Sequence, residues 1–291
     1  MIIVKLMGGL GNQMFQYAAG LSLASRTGSK LYMDDSWFST IAEVDTPRHY
    51  ELECYKLRAG FIKANQFTMT DNSSGFKKSL FKYTKGRSRP YVIHYIENGH
   101  QFNKSFTKLG DNTYLEGYWQ SEEYFKNIRQ DILKDFSYIE QPGKETEKLL
   151  DQTSNENSVS LHVRRGDYVT NKNANAFHGL ATIEYYQSAM KLVAKKIKAP
   201  HFFVFSDDLA WCRKNLKFDH AATFVNQKQK GSADMRVMRN CRHNIIANSS
   251  FSWWAAWLND NPEKTIVAPK KWFNDPTMNA VDIVPSEWIR I

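Results

Sequence analysis

The chain has 291 residues, of which 42% are hydrophobic and 14% aromatic, so it can bury the core of one large domain or of two ordinary ones. Its 39 basic and 30 acidic side chains give a net charge of +9, which favours an anionic partner such as a nucleotide, a nucleic acid or a membrane surface. Three widely spaced cysteines suggest neither disulfides nor a zinc site, and neither a signal-peptide pattern nor an apolar run of about 20 residues is present, which together predict a cytoplasmic protein.

The chain begins with a predicted strand, glycine-rich turn and helix. Residues 2–6 form a short apolar strand, and apolar residues then recur at helical spacing from Met14 onward. The turn between them contains Gly8, Gly9 and Gly11, which permit close approach of a ligand to the backbone. Asn12 and Gln13 follow at the helix start, where their amides can bind a sugar or a phosphate; the alternative is that they cap the helix.

Further strands are predicted at residues 31–35, 91–97 and 113–120, and an amphipathic helix at 121–136. Residues 60–90 are rich in lysine and arginine among polar and aromatic residues, which predicts a solvated surface segment. A contact of this segment with acidic membrane or glycolipid is the alternative. The polar stretch 141–158 predicts a short helix and a domain boundary.

The second half alternates strands and helices, which predicts a parallel α/β domain. Strands are expected at residues 159–163, 202–205, 222–225, 244–247 and 265–267. Helices are expected at about 182–198, at 209–216, from Ser232 and at 251–257. Trp253, Trp254 and Trp257 in the last of these helices are predicted to belong to the core rather than to a sugar-binding platform.

Polar side chains follow three of these strands. Arg164, Arg165, Gly166 and Asp167 come directly after residues 159–163. The other two groups are Ser206, Asp207 and Asp208, and Asn248, Ser249 and Ser250. Because the carboxyl ends of parallel strands share one edge of a sheet, we expect these groups to meet there.

The chemistry of this edge favours an anionic ligand, most simply a nucleoside diphosphate. A planar guanidinium can hold two phosphate oxygens, and serine hydroxyls with N–H groups at a helix start also bind phosphate. Asp207 and Asp208 suit ribose hydroxyls or the N–H edge of guanine. The alternatives are a solvated charged turn after the first strand, and helix capping by the aspartates and serines. The carboxylates lack metal-site spacing, so no metal is expected.

Three motifs resemble glycosyltransferase family 11, the α-1,2-fucosyltransferases: Gly8-Gly-Leu-Gly-Asn-Gln-Met-Phe-Gln-Tyr17, His162-Val-Arg-Arg-Gly-Asp-Tyr168 and Asn248-Ser-Ser-Phe-Ser-Trp-Trp254. The resemblance implies a GT-B-like α/β architecture of two Rossmann-type parallel-sheet domains facing a cleft. Residues 1–150 would form the acceptor side, and residues 151–291 the GDP-fucose-binding side. The C-terminal tail could pack back onto the first domain.

The same resemblance implies transfer of L-fucose from GDP-β-L-fucose to the 2-hydroxyl of a β-galactoside, with inversion and without a metal or other cofactor. The predicted donor-binding residues are His162, Arg164, Arg165, Asp207, Asp208, Asp234, Asn248, Ser249, Ser250 and Phe251. The predicted acceptor or cleft residues are Gly8, Gly9, Gly11, Asn12 and Gln13. Arg164 is also expected to act in catalysis by stabilising the leaving diphosphate.

The three motifs do not identify the residue that acts as general base. Asp167 is the first candidate, with orientation of an arginine as its alternative role, and His178 is the second. Asp34, Asp35 and Glu116 follow as candidates from the facing domain. The rival functions are fucosyl transfer to another position and, on charge alone, nucleic-acid binding, although no nucleic-acid partner is expected. A cytoplasmic enzyme touching glycolipid at the inner membrane is a further expectation.

Overall fold

The structure, a computed structural model, describes residues 1–40, 48–71, 89–166, 179–226, 231–275, 278 and 280–291. These residues form two compact units, Met1–Ile139 and Glu140–Ile291. Each unit is built on a six-stranded sheet in which every pairing is parallel. The prediction of two parallel-sheet α/β domains is therefore confirmed.

The first unit has the strand order β3-β2-β1-β6-β5-β4. Its strands are β1 (Ile2–Lys5), β2 (Leu31–Asp34), β3 (Gly60–Phe61), β4 (Thr68–Asp71), β5 (Tyr91–Ile96) and β6 (Thr113–Glu116). Its α-helices are α1 (Leu10–Thr27) and α2 (Arg129–Asp135). Because β1 pairs with both β2 and β6, the glycine-rich turn that follows it leaves from the middle of the sheet.

The second unit has the strand order β12-β11-β10-β7-β8-β9. Its strands are β7 (Ser158–Val163), β8 (His201–Ser206), β9 (Ala222–Phe224), β10 (His243–Ile245), β11 (Ile266–Ala268) and β12 (Ile289–Arg290). Its helices are α3 (Lys144–Asn155), α4 (Ile183–Lys196), α5 (Leu209–Asn215), α6 (Gly231–Asn240) and α7 (Ser250–Leu258). Every residue of β7 is buried, as expected for a central parallel strand.

The register of β7 and β8 sets the geometry of the site. Val163 lies opposite Ser206, so the two strands end at the same level. The residues that follow, Arg164 and Asp207, consequently emerge side by side from one edge of the sheet. Helix α7 starts at the same edge because it follows β10, the other neighbour of β7.

Several predicted elements differ from the structure. Residues 60–71, predicted as solvated surface, contribute the strands β3 and β4; residues 72–88 of the basic segment lie outside the described residues. The predicted strand 113–120 ends at Glu116. The predicted helix 121–136 is regular only in α2; before it, Glu122–Tyr124 and Lys126–Ile128 form short 3₁₀ turns separated by Phe125, whose φ of −148° is not helical.

The ends of the second unit also differ from expectation. The compact units divide at Ile139 rather than after residue 150, since α3 packs within the second unit, where Asn240 donates to Thr153 Oγ1 (2.8 Å) and Ser154 Oγ (3.0 Å). Near the C-terminus, β12 pairs with β11 in the second sheet, and the expectation that the C-terminal tail packs back onto the first domain stays a prediction. In the described part of the chain, no helix is both long and apolar enough to span a bilayer.

Candidate functional site

Arg164 is held by a carboxylate from the neighbouring strand end. Its guanidinium Nη1 lies 2.9 Å from Asp207 Oδ2, and both side chains are about one-quarter exposed. The other oxygen, Asp207 Oδ1, accepts the backbone N–H of Arg165 at 2.9 Å. One aspartate thus fixes both the backbone turn and the first arginine, which prepares that arginine for an anion with little reorganisation.

Arg165 is held by an aromatic ring and a second carboxylate. Its guanidinium carbon lies 3.9 Å from the centre of the Trp211 ring, and its Nε lies 3.4 Å from Asp208 Oδ2. Asp208 also caps α5 by accepting the Trp211 backbone N–H at 2.9 Å. The expectation of capping is therefore confirmed for Asp208. Both aspartates orient the arginines, and their contacts to ribose or guanine stay a prediction.

Gly166 permits the close approach of these two strand ends. A Cβ atom on this residue would lie 2.6 Å from Asp207 Oδ2, closer than real Cβ atoms come to another atom. Any side chain would therefore push Asp207 away from Arg164. Residue 166 must be glycine because no side chain fits beside Asp207, in addition to any conformational freedom that the turn needs.

A second group of residues lies at the same edge around His162. The ring centres of His162 and Phe251 are 5.5 Å apart, and Gly231, the first residue of α6, lies against the Phe251 ring. His162 is buried, and its burial together with the charge of Arg164 lowers its pKa to about 3, so the ring is neutral at working pH. Among the described residues, its Nδ1 has no hydrogen-bond partner.

Asp234, in the first turn of α6, carries a buried and unpaired oxygen. Its Oδ1 has no hydrogen-bond partner among the described residues, and burial raises the pKa of the carboxyl to about 7. A buried carboxylate without a donor is costly unless a ligand supplies one. Asp234 can therefore receive N–H or O–H groups of a ligand, as its predicted role in donor binding requires.

The start of α7 carries two partly buried serine hydroxyl groups, and the amide of Asn248 precedes them in the chain. Ser249 is the N-cap residue, yet its side chain makes no capping hydrogen bond, and Ser249 and Ser250 are only partly buried. Asn248, in contrast, is 3% exposed and donates to the carbonyl oxygens of Gly179 (3.2 Å) and Trp272 (3.1 Å). Asn248 thus anchors this edge of the sheet to the segments around Gly179 and Trp272, and its direct contact with the donor stays a prediction.

The glycine-rich turn of the first unit is held by buried amides of α1. Gln13 is fully buried, donates to the carbonyl oxygens of Gly8 (2.9 Å) and His49 (2.8 Å), and accepts the Glu51 backbone N–H (2.9 Å). Its predicted acceptor contact is therefore wrong. Asn12 is only partly buried, and its Oδ1 accepts from Gln120 Nε2 at 2.9 Å. Neither amide caps α1, whose N-cap is Gly9.

The three carboxylates considered as bases in the first unit have different surroundings. Asp34 is 2% exposed and accepts from Tyr114 Oη (2.7 Å) and the Ser36 N–H (2.9 Å), so it is structural. Burial opposes ionisation of Glu116, but its contacts with Lys5 and His94, both at 2.8 Å, outweigh burial and lower its pKa. Asp35 is exposed. The geometry argues against Asp34 and Glu116 as bases because both are already paired.

A sequence model described as Glycosyl transferase family 11 matches residues 93–291, more than half of the chain. The chain belongs to glycosyltransferase family 11. The resemblance in the three motifs is thereby confirmed. This family 11 glycosyltransferase is 31% identical to the alpha-1,2-colitosyltransferase of Escherichia coli, over 100% of the chain and 98% of that relative. It is also 26% identical to the galactoside 2-alpha-L-fucosyltransferase SEC1 of Bos taurus, over 88% of the chain and 63% of that relative.

The fold of this glycosyltransferase is similar to that of POFUT1 in a crystal structure with GDP-fucose. The TM-score is 0.51 at 13% sequence identity, and the match covers 91% of this chain and 97% of the other. At this identity the likeness concerns the fold, and it agrees with the GT-B-like class expected from the motifs.

Two predicted catalytic residues of the glycosyltransferase, Asp167 and His178, lie outside the described residues. Among the described residues, no group of three His, Cys, Asp or Glu side chains is close enough to hold a metal ion. Sequence reasoning missed Trp211, which supports Arg165, and Gln120, which holds Asn12. Trp211 lies three residues after Asp208, a spacing that would have placed it on the first turn of a helix beginning at this strand end.

Proposed function

We propose that the protein transfers L-fucose from GDP-β-L-fucose to the 2-hydroxyl group of a β-galactoside, with inversion at the anomeric carbon. The observation that carries the proposal is Arg164, held 2.9 Å from Asp207 at the carboxyl edge of a parallel sheet beside the start of α7. This is the edge at which α/β sheets bind nucleotides, and a fixed guanidinium suits a diphosphate.

The residues around Arg164 fit the parts of the donor. Arg164 and Arg165 would neutralise the diphosphate, with the hydroxyl groups of Ser249 and Ser250 as further donors to its oxygens. The unpaired Asp234 Oδ1 would accept the N–H edge of guanine, with His162 and Phe251 beside the base. This assignment gives the buried carboxylate the donors that the described protein residues do not supply.

The proposed reaction moves one glycosyl group and one proton. The acceptor O2 forms a bond to the fucose C1 while the bond from C1 to the β-phosphate oxygen breaks, and GDP leaves with the electron pair. The hydroxyl proton passes to a general base. Positive charge on C1 grows as in glycoside hydrolysis, so the arginines gain attraction for the diphosphate as the bond breaks.

The test is incubation of the purified protein with GDP-L-fucose and lactose, or a type 1 or type 2 disaccharide, followed by NMR of the product. The expected product carries α-L-fucose on O2 of the terminal galactose. Fucose at another position would establish the rival linkage. Absence of any fucosylated product with all three acceptors, while RNA is bound at physiological salt, would favour the nucleic-acid alternative instead.

A second candidate donor is GDP-colitose, since a relative that matches the whole chain at 31% identity is named an alpha-1,2-colitosyltransferase. Colitose is L-fucose without its 3-hydroxyl group. A site that hydrogen-bonds this hydroxyl rejects the deoxy sugar by a large factor, whereas a site that leaves it free accepts both. Competition between equal concentrations of the two donors decides the matter, and we expect the fucosylated product to predominate.

For the general base we propose Asp167, with His178 as the alternative. Two arginines precede Asp167 in the sequence and would make its carboxylate a weak base, which favours its alternative role in orienting an arginine, whereas a histidine titrates near neutrality. If Asp167 is the base, Asp167→Asn lowers transfer by about 10²–10⁴-fold while GDP binds normally. If Asp167 orients an arginine, GDP affinity falls in step with activity. If His178 is the base, His178→Ala lowers kcat and removes the acidic limb of the pH profile.

A further inference from the structure

The loop formed by residues 117–120 follows β6 and has an unusual backbone. Trp119 has φ = +56°, a left-handed conformation that residues with a side chain rarely adopt, and its ring is fully buried. The ring packs against Tyr95, Phe106 and Tyr124 at centroid distances of 5.2–6.0 Å. The left-handed turn therefore has extensive packing to hold it, which is the situation in which such conformations persist.

A half-buried carboxylate also holds this loop. Glu97 Oε2 accepts the backbone N–H groups of both Tyr118 (2.7 Å) and Trp119 (2.8 Å). Burial raises the pKa of Glu97, and the two N–H donors act in the opposite direction. A Cβ on Gly117 would lie 2.4 Å from the Glu97 Cβ, so only glycine fits beside this carboxylate. Gln16 completes the support by donating to the Gly117 carbonyl at 3.2 Å.

This support fixes the position of Gln120, the last residue of the loop. Gln120 Nε2 donates to Asn12 Oδ1 at 2.9 Å, next to the glycine-rich turn. In this pairing Oδ1 of Asn12 is occupied by the Gln120 amino group, and Nδ2 of Asn12 remains as a donor. Among the described residues, no acceptor bonds to Nδ2, and a Cβ on Gly8 would lie only 2.6 Å from it. Gly8, where φ is +74°, leaves the space that this amino group occupies, since a side chain at that position would collide with it.

We propose that Gln120 is a positioning residue for glycosyl transfer: held by the strained Trp119 turn, it fixes the Asn12 amide with Nδ2 presented to a hydroxyl oxygen of the acceptor sugar. The inference rests on the proposed function and on the contact with the acceptor that the sequence predicts for Asn12. Without the bond from Gln120, the Asn12 amide can rotate by 180° and present an oxygen where the sugar requires a donor. Misplacement of one such group is costly because transfer depends on orientation.

A double-mutant cycle tests this role. Asn12→Ala and Gln120→Ala should each lower kcat by about 10- to 100-fold at saturating GDP-fucose. The double variant should be no slower than Asn12→Ala alone, since Gln120 acts through Asn12. Multiplied losses in the double variant would overturn the proposal. The matched control is Gln101→Ala, which changes an exposed glutamine of the same unit and should leave kcat unchanged.

Two isosteric variants keep the test valid if an alanine variant fails to fold. Asn12→Asp keeps an oxygen for Gln120 to donate to but removes the amino group, so transfer should fall as in Asn12→Ala. Gln120→Glu keeps the shape and, as a carboxylate, removes the donor, so kcat should fall as well. Wild-type kcat in Gln120→Glu would contradict the role of Gln120. GDP affinity should stay near wild type in both variants.

An independent readout comes from protein labelled with ¹⁵N-asparagine. The side-chain NH₂ signals of Asn12 are identified by their loss in Asn12→Ala, and they should shift or broaden in Gln120→Glu. Unchanged signals would overturn the proposal even without an assay. If the wild type forms no 2-O-fucosyl product, the proposed function fails. If the wild type is active and the cycle is multiplicative, only the role of Gln120 fails.

Discussion

Arg164 depends on Asp207 for its position, so the two residues should behave alike in kinetics. Arg164→Ala should remove about 2–4 kcal/mol of transition-state stabilisation, seen as a lower kcat/KM, because the charge that meets the leaving diphosphate is lost. Arg164→Lys should recover only part of it, since an ammonium cannot form a planar two-point contact. The kcat/KM of Asp207→Ala should lie between the values of wild type and Arg164→Ala, because the arginine remains but is no longer held.

The matched control for Arg164 is Arg213, whose guanidinium carbon lies 4.0 Å from the centre of the Phe224 ring in the same unit. Arg213→Ala also removes an arginine supported by a neighbouring side chain, but one with no proposed role in donor binding. It should keep wild-type kcat/KM. Equal losses in Arg213→Ala and Arg164→Ala would mean that any such arginine stabilises the fold, and the diphosphate assignment would be wrong.

The carboxyl of Asp234 should make donor binding depend on pH. Burial raises its pKa to about 7, and only the ionised form can accept two N–H groups of guanine. GDP-fucose affinity should therefore rise as the pH increases toward about 7 and then level off, with a proton released on binding below that pH. Calorimetry in buffers of different ionisation enthalpy measures both quantities.

The control for the Asp234 titration is Asp234→Asn, in which the profile should be flat. GDP-fucose is used rather than GDP because its diphosphate has no terminal group that titrates near neutrality. His162 stays neutral over this range because its pKa is about 3. A wild-type profile that remains in Asp234→Asn would assign the titration to another group.

The sequence predicts which residues lie at the carboxyl edge of the second sheet better than it predicts what each of them does. Asp207 and Asp208 were correctly placed at a strand end, but their partners, Arg164 and Arg165, follow β7, a different strand. Such pairs depend on the register between β7 and β8, which no local pattern contains. Asp234 could be placed at a helix start, yet its unpaired oxygen follows from burial by the folded chain.

At the scale of elements, Gln13 of α1 should stabilise the loop that packs against this helix. Gln13→Ala leaves three backbone groups without their side-chain partner, which should lower the free energy of unfolding by about 1–3 kcal/mol for each group that stays buried and unpaired. Urea denaturation measures the change. Asn12→Ala is the control, with a smaller expected loss, because Asn12 is partly exposed and makes one side-chain hydrogen bond. An unchanged midpoint for Gln13→Ala would contradict this structural role.

Elements with a strong local pattern were predicted well, and short ones were not. The β-branched run of β7 and the three buried tryptophans of α7 were identified correctly. Strands β3 and β12 have two residues each, so they are defined by their pairing with distant strands rather than by composition. The apolar spacing of residues 121–136 suits a helix, but Tyr124, which ends a 3₁₀ turn, and Phe125, which follows it, are buried without forming a regular helix.

At the scale of the molecule, transfer should not require a divalent metal. The charge needed by the leaving diphosphate can come from Arg164 and Arg165, each already oriented by a carboxylate. Activity should therefore survive excess EDTA, measured as GDP release with lactose as acceptor. Added Mg²⁺ should not raise kcat. Loss of turnover in EDTA that Mg²⁺ or Mn²⁺ restores would overturn this expectation.

The strand order of the first sheet determines when this sheet can form during translation. Strand β1 lies beside β6, which begins only at Thr113, so the middle of this sheet cannot close until more than a hundred further residues have been synthesised after β1. Every described strand of that sheet, however, precedes Ile139. The first unit can thus complete its sheet while the second is still being translated, which would limit mispairing between two sheets of the same parallel type.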